Sequence, residues 1–103
     1  MTENIIAKNR EELLQECAPI AYKEIEQFFA RGMMVLVSNK VDIIEVALMV
    51  QADDSSQLDK FIKQGKVTRV HDEHAKKWIK NNPQLMAITA VPWLLVQEID
   101  LKG

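Results

Sequence analysis

The stretch VHDEHAKKWIKNNP, residues 70–83, holds both histidines of the chain three residues apart, with Asp72 and Glu73 between them. Two imidazoles and two carboxylates are the donor types of a metal site and also the groups of an acid–base pair. The spacing is not the His-Glu-x-x-His register that sets two imidazoles one helical turn apart. Asp72 is placed to cap a helix carrying Trp78, which leaves His71 before that helix and His74 in its first turn. His71 and His74 are therefore the candidate metal ligands, weighed against a plain solvated helix start. The helix start is favoured, and no metal or cofactor is assigned.

Glu24 is the second residue of interest. On a continuous helix its angle falls inside the apolar stripe of Cys17, Ala21 and Phe28. A carboxylate there must find a partner or take up a proton. It is read either as a border residue paired to a base or a backbone N–H, or as an acid in a pocket. Cys17 is the only cysteine, so no intrachain disulfide forms, and it reads as a small buried hydrophobe rather than a reactive thiol. Trp78 and Trp93 sit in apolar company. They belong to the core or, with Pro92, to an interface or pocket. No Gly-rich phosphate loop or nucleophile elbow is present.

Charge is uneven. Residues 60–80 carry seven basic side chains (Lys60, Lys63, Lys66, Arg69, Lys76, Lys77, Lys80) against Asp72 and Glu73. Gathered on one face they would meet phosphates, with steep salt dependence. The net charge of −2 gives no global attraction to nucleic acid or an anionic membrane, and a solvated surface is the favoured reading. The apolar runs fall short of a membrane span. The opening MTENIIAKNREELL lacks a cationic region followed by an apolar run, so no secretory signal is expected. A cytoplasmic location is expected.

The elements that must position these residues follow from periodicity. Residues 9–31 read as one amphipathic helix with Leu14, Cys17, Ala21, Ile25 and Phe28 inward, kinked or split at Pro19 and stopped by Gly32. MMVLVS, residues 33–38, reads as a strand. VDIIEVALMVQADD fits a strand or a buried helix capped by Asp42, and the helix is preferred. Asp54 or Ser55 caps a helix over residues 56–64 with Leu58, Phe61 and Ile62 inward, ended by Gly65. A short strand over 66–70 precedes a helix over 73–81 with Ala75, Trp78 and Ile79 inward, closed by Pro83. Residues 85–99 give the strongest β signal, with a break, bulge or edge position at Pro92. A chain of 103 residues with 48% apolar side chains forms one α+β domain, a long N-terminal helix and further helices on a small sheet. Residues 1–8 read as a disordered tail.

Three stretches, EIEQFFARGMMVLVS (24–38), DIIEVALMVQADDSSQLDKFIKQGKVTRVHDEHAKKWI (42–79) and AVPWLLVQE (90–98), resemble a family of small bacterial proteins classed as a domain of unknown function. The specific pieces are FFARG, the paired Asp53 and Asp54, the DE-x-A-x-x-W of Asp72 to Trp78, and the PW-x-LVQE of Pro92 to Glu98. The paired histidines are not part of that pattern. The resemblance implies a cytoplasmic bacterial protein and brings no activity with it. Three functions are therefore carried. The first is a non-enzymatic interaction module that self-associates as a homodimer through the apolar strand around Pro92 and Trp93, with another protein partner as a variant. The second is a small-molecule-binding domain or minor enzyme with a pocket near Glu24, Trp78 and Trp93. The third is a weak nucleic-acid-associated protein using the basic 60–80 segment.

Overall fold

The computed structural model describes residues 8–99. In chain order these form α1 (Arg10–Glu16), β1 (Ala18–Ala21), α2 (Tyr22–Ala30), β2 (Met34–Val37), α3 (Ile43–Gln51), α4 (Ser55–Lys63), β3 (Val67–Arg69), α5 (Asp72–Asn81), β4 (Gln84–Ala90) and β5 (Trp93–Glu98). The strands make one mixed sheet in the order β1-β4-β5-β2-β3. Only β2 and β5 run parallel, with Met34 opposite Leu94. The α+β class expected from the sequence holds.

Strand alternation divides the core into two layers. Val37, Ile88, Ala90 and Leu95 point to one face, where Leu13, Ile43, Ile44, Val46 and Ala47 of α1 and α3 cover them, with Leu58 and Phe61 of α4 alongside. Met34, Leu85, Ala87, Leu94 and Val96 point to the other face and meet Tyr22 and Ile25 of α2 and Ala75 and Trp78 of α5. The near-continuous apolar run of β5 is thus explained: it lies mid-sheet, bonded on both sides and covered on both faces. It is not an edge awaiting another copy. The β4–β5 turn at Val91–Pro92, a cis peptide bond, leaves Val91 82% exposed.

The long helix expected over 9–31 is interrupted by a strand. α1 stops at Cys17, which has extended backbone angles. Pro19 then lies in β1, opposite Met86. Proline inside a helix loses a hydrogen bond and clashes with the preceding turn, while a sheet edge accepts it. The helical phase restarts at Tyr22, so Glu24 is exposed, and in α1 it is Leu13, not Leu14, that is buried. Of the tail expected at 1–8, residues 1–7 lie outside the described residues. Lys8 is held: its N–H donates to Gln51 Oε1 at 3.1 Å and its carbonyl accepts from Gln51 Nε2 at 3.0 Å.

Elsewhere local chemistry decides. Asp42 caps α3 by accepting from Ile44 N–H at 2.9 Å, and Asp54 caps α4 by accepting from Gln57 N–H at 3.2 Å. The ambiguous 42–53 segment is therefore helical over Ile43–Gln51. Asp42 also pairs with Arg10 of α1. Burial pushes its carboxyl up, but bonds from Arg10 and from Ile44 N–H prevail and hold it below its ordinary range. His71, not Asp72, occupies the cap position of α5, and Asp72 is its first residue. Ile62 and Ile79, expected inward, are 55% and 56% exposed.

Candidate functional site

A cavity of about 530 Å³ opens between α3, α4 and the sheet. Its walls follow from spacing. Val46 and Val50 lie one turn apart on α3, Leu58 and Ile62 one turn apart on α4, and alternation brings Val35, Val67, Trp93 and Leu95 to the same face. Ile62 is turned inward as its position predicts, but it meets this cavity rather than packed core, hence its exposure. Thr68, Arg69 and His71 add the polar part of the lining, and no carboxylate is among the described residues that form it. The Arg69 guanidinium sits over the Trp93 ring, 5.3 Å from its centroid. Among the described residues no acidic side chain forms an ion pair with Arg69.

The two histidines serve the entrance to α5. His74 Nδ1 accepts the backbone N–H of His71 at 3.0 Å, which supplies a partner for a donor at the helix start. The rings stack with centroids 5.8 Å apart, and His74 stacks in turn on Trp78, also at 5.8 Å. Among the described residues no group of three or more His, Cys, Asp or Glu side chains is arranged to hold a metal ion.

Trp78 is 0% exposed and packs beside Tyr22. Its Nε1–H donates to Glu98 Oε2 at 3.1 Å, and Lys77 Nζ reaches the same oxygen at 2.9 Å. Lys77, then the Trp78 indole, hold the Glu98 carboxyl below its ordinary range against the opposing effect of burial. Next to it, Gln97 Nε2 donates to the carbonyls of Ser38 and Val41 at 2.8 and 2.7 Å, tying down the β2–α3 loop. Asn39 Nδ2 donates to the Glu98 carbonyl at 2.7 Å. Trp78 and Glu98 border a second, more polar cavity with Asn39, Lys77 and Asn81.

Glu24, Trp78 and Trp93, expected around one pocket, are separated. Trp93 lines the first cavity, Trp78 the second on the opposite face, and Glu24 a third with Pro19, Ile20 and Phe28. Pro92 is exposed in the hairpin turn. Cys17 is half-buried, and burial pushes its thiol up, with the Asp42 charge adding to the effect. The basic 60–80 segment does not gather: Lys60 and Lys63 belong to α4, and Lys76, Lys77 and Lys80 to α5 on the other side of the sheet. Lys63 and Lys77 are already paired, with Asp59 and Glu98. In the sequence Arg69 is one of seven cations, with nothing nearby to single it out. Its meeting with Trp93 requires the β3-β2-β5 order, which no local spacing reveals.

A comparison with curated proteins found no match. Among solved structures, the solution NMR structure of PA1075 from Pseudomonas aeruginosa superimposes with a TM-score of 0.79, at 33% identity, over 88% of this chain and 84% of that one. Among the described residues no helix is long and apolar enough to cross a membrane. The family model described as "protein of unknown function (DUF2288)" matches residues 8–98. That span takes in all five strands and both layers of helices, and the chain belongs to this family.

Proposed function

We propose that the protein is a non-enzymatic binding domain whose working surface is the apolar cavity between α3, α4 and the sheet. The observation that carries this reading is the combination of lining and access. Hydrocarbon side chains from β2, α3, α4, β3 and β5 surround a solvent-open space of about 530 Å³. Small-molecule pockets are typically about 300–1,000 Å³, mostly apolar, with a few polar groups that orient the ligand. Arg69 and His71 are placed to orient a guest. Gln97 and Glu98 are engaged in holding the fold.

The test is a titration with 1-octanol followed through the methyl resonances of Val35, Val46, Val50 and Leu58. Saturable shifts confined to these residues and weakened by Ile62→Asp, a change at an exposed position, support the reading. Shifts scattered over the surface, or unchanged by Ile62→Asp, contradict it.

Self-association is the second reading. It is favoured by the 82% exposure of Val91 beside Pro92 and Trp93 in the hairpin turn. Because the body of β5 is covered on both faces, this reading puts the contact at the turn. Sedimentation over a range of concentrations tests it: a dimer lost in Val91→Glu supports it, and a monomer at every concentration counts against it. We assign no role to nucleic acid, because α4 and α5 carry their lysines on opposite sides of the sheet. A bacterial, cytoplasmic setting accords with the likeness to the Pseudomonas aeruginosa protein and with a single cysteine.

A further inference from the structure

We infer that the guest of the α3–α4 cavity is an amphipathic organic anion, an acyl chain ending in a carboxylate, with Arg69 as the residue that holds the charge. The inference rests on the binding-domain reading and adds the chemistry of the ligand to it.

Three observations point the same way. The walls are aliphatic: Val35, Val46, Val50, Leu58, Ile62 and Leu95 offer no group that would reward a polar body. Trp93, the one indole of the lining, has its ring beneath Arg69, with the guanidinium carbon 5.3 Å from the centroid. That contact places the guanidinium at the cavity, and a guanidinium carries its N–H donors around its rim, where an acceptor can reach them. Among the described residues the charge is also uncompensated locally. Arg69 has no ion pair among the described residues, and the lining holds no carboxylate.

A cation facing an apolar cavity without a counter-charge selects against cationic guests and for anionic ones. A guanidinium receives a carboxylate through two parallel N–H···O bonds. The acyl chain then takes the place of water against the valine and leucine walls. A longer apolar peptide with a free C-terminal carboxylate shares the terminal chemistry. It would need to lie along β3, an edge strand of only three residues, which is a short template for strand addition. The free acid is the favoured guest.

The experiment compares octanoate, 1-octanol and octylammonium, each below its micellar concentration, on the wild-type chain and on Arg69→Gln, by NMR titration. Arg69 is exposed, so its replacement leaves the core intact. Octanoate is expected to bind wild type about tenfold or more tighter than 1-octanol, the gain of a charge-assisted bond, and to lose that margin in Arg69→Gln. Octylammonium is expected to bind weakest. If 1-octanol and octanoate bind equally and Arg69→Gln changes neither, the cavity is a binding site but the anion inference is wrong. If none of the three shifts the lining methyls, the binding-domain reading itself fails. If a peptide ending in Val-Leu-Leu binds through its carboxylate while octanoate does not, the guest is a protein terminus and the inference is overturned.

Discussion

Trp78 and Glu98 meet through a 3.1 Å hydrogen bond from the indole Nε1–H to the carboxylate, joining the last residue of the DE-x-A-x-x-W segment of α5 to the last residue of PW-x-LVQE on β5. Trp78 is fully enclosed, so this carboxylate satisfies the one polar atom of the largest side chain in its layer. Gln97, one position earlier and therefore on the other face, pins the β2–α3 loop. Adjacent residues of one strand end thus fasten a helix on one side of the sheet and a loop on the other. The polar residues of the segment hold the scaffold in which the apolar cavity lies.

Removing that acceptor has a definite consequence. Glu98→Ala leaves the indole N–H without its partner and is expected to destabilise the protein by about 1–2 kcal/mol. Glu98→Gln keeps an acceptor oxygen and is expected to cost less. Urea unfolding of both variants checks the order, and equal losses would show that the indole contact contributes nothing.

The same group sets a pH dependence. Lys77 and Trp78 hold the Glu98 carboxyl below its ordinary value in the folded protein, so its contribution is fully present above the unfolded carboxyl range, about 4.3. It declines as pH falls through the depressed folded value, because the unfolded chain then binds the proton more readily. Between neutral pH and pH near 3, the loss of stability is expected to be shallower in Glu98→Gln than in wild type. Parallel pH profiles would contradict this.

Asp42 couples the cap of α3 to α1. Asp42→Ala removes the acceptor for Ile44 N–H and is expected to cost about 1 kcal/mol from the cap alone. Asp42→Asn retains the cap and loses the charge facing Arg10, so it is expected to lose less. Thermal unfolding of the pair, with hydrogen exchange at Ile44 and Glu45, separates the two effects.

Gly32 ends α2 with φ +73°, and nothing lies within 4 Å of where a Cβ would stand. Gly32→Ala therefore costs only backbone strain, about 1 kcal/mol. Gly32→Asn is expected to recover part of it. A loss well above this in the urea midpoint would mean that the turn into β2 is constrained by more than its backbone angle.

Features decided by a few neighbouring residues were legible in the sequence. Asp42, Asp54, Gly65 and Pro83 mark helix ends wherever the chain goes, because capping and backbone conformation are local. The N-terminal region is not legible in this way, because one helical phase does not continue across Pro19. Once β1 intervenes, the angle between Cys17 and Glu24 has no meaning, and the carboxylate that looked inward is exposed. β5 read correctly as doubly apolar, but whether a second face meant a helix layer or another copy depends on strand order. The cavity was the least legible feature. Its lining positions follow from periodicity, yet the gap between α4 and the sheet, and the placement of Arg69 over Trp93, arise only when elements more than twenty residues apart are assembled.

Whether the α3–α4 cavity is the binding surface is decided by intermolecular NOEs from octanoate to isotope-labelled protein. Contacts are expected from the chain methylenes to the methyls of Val35, Val46, Val50, Leu58 and Leu95, with the carboxylate end nearest Arg69. Contacts confined to the Val91–Pro92 turn, to the Trp78–Glu98 cavity or to the Glu24 side of the sheet would place binding elsewhere and contradict it.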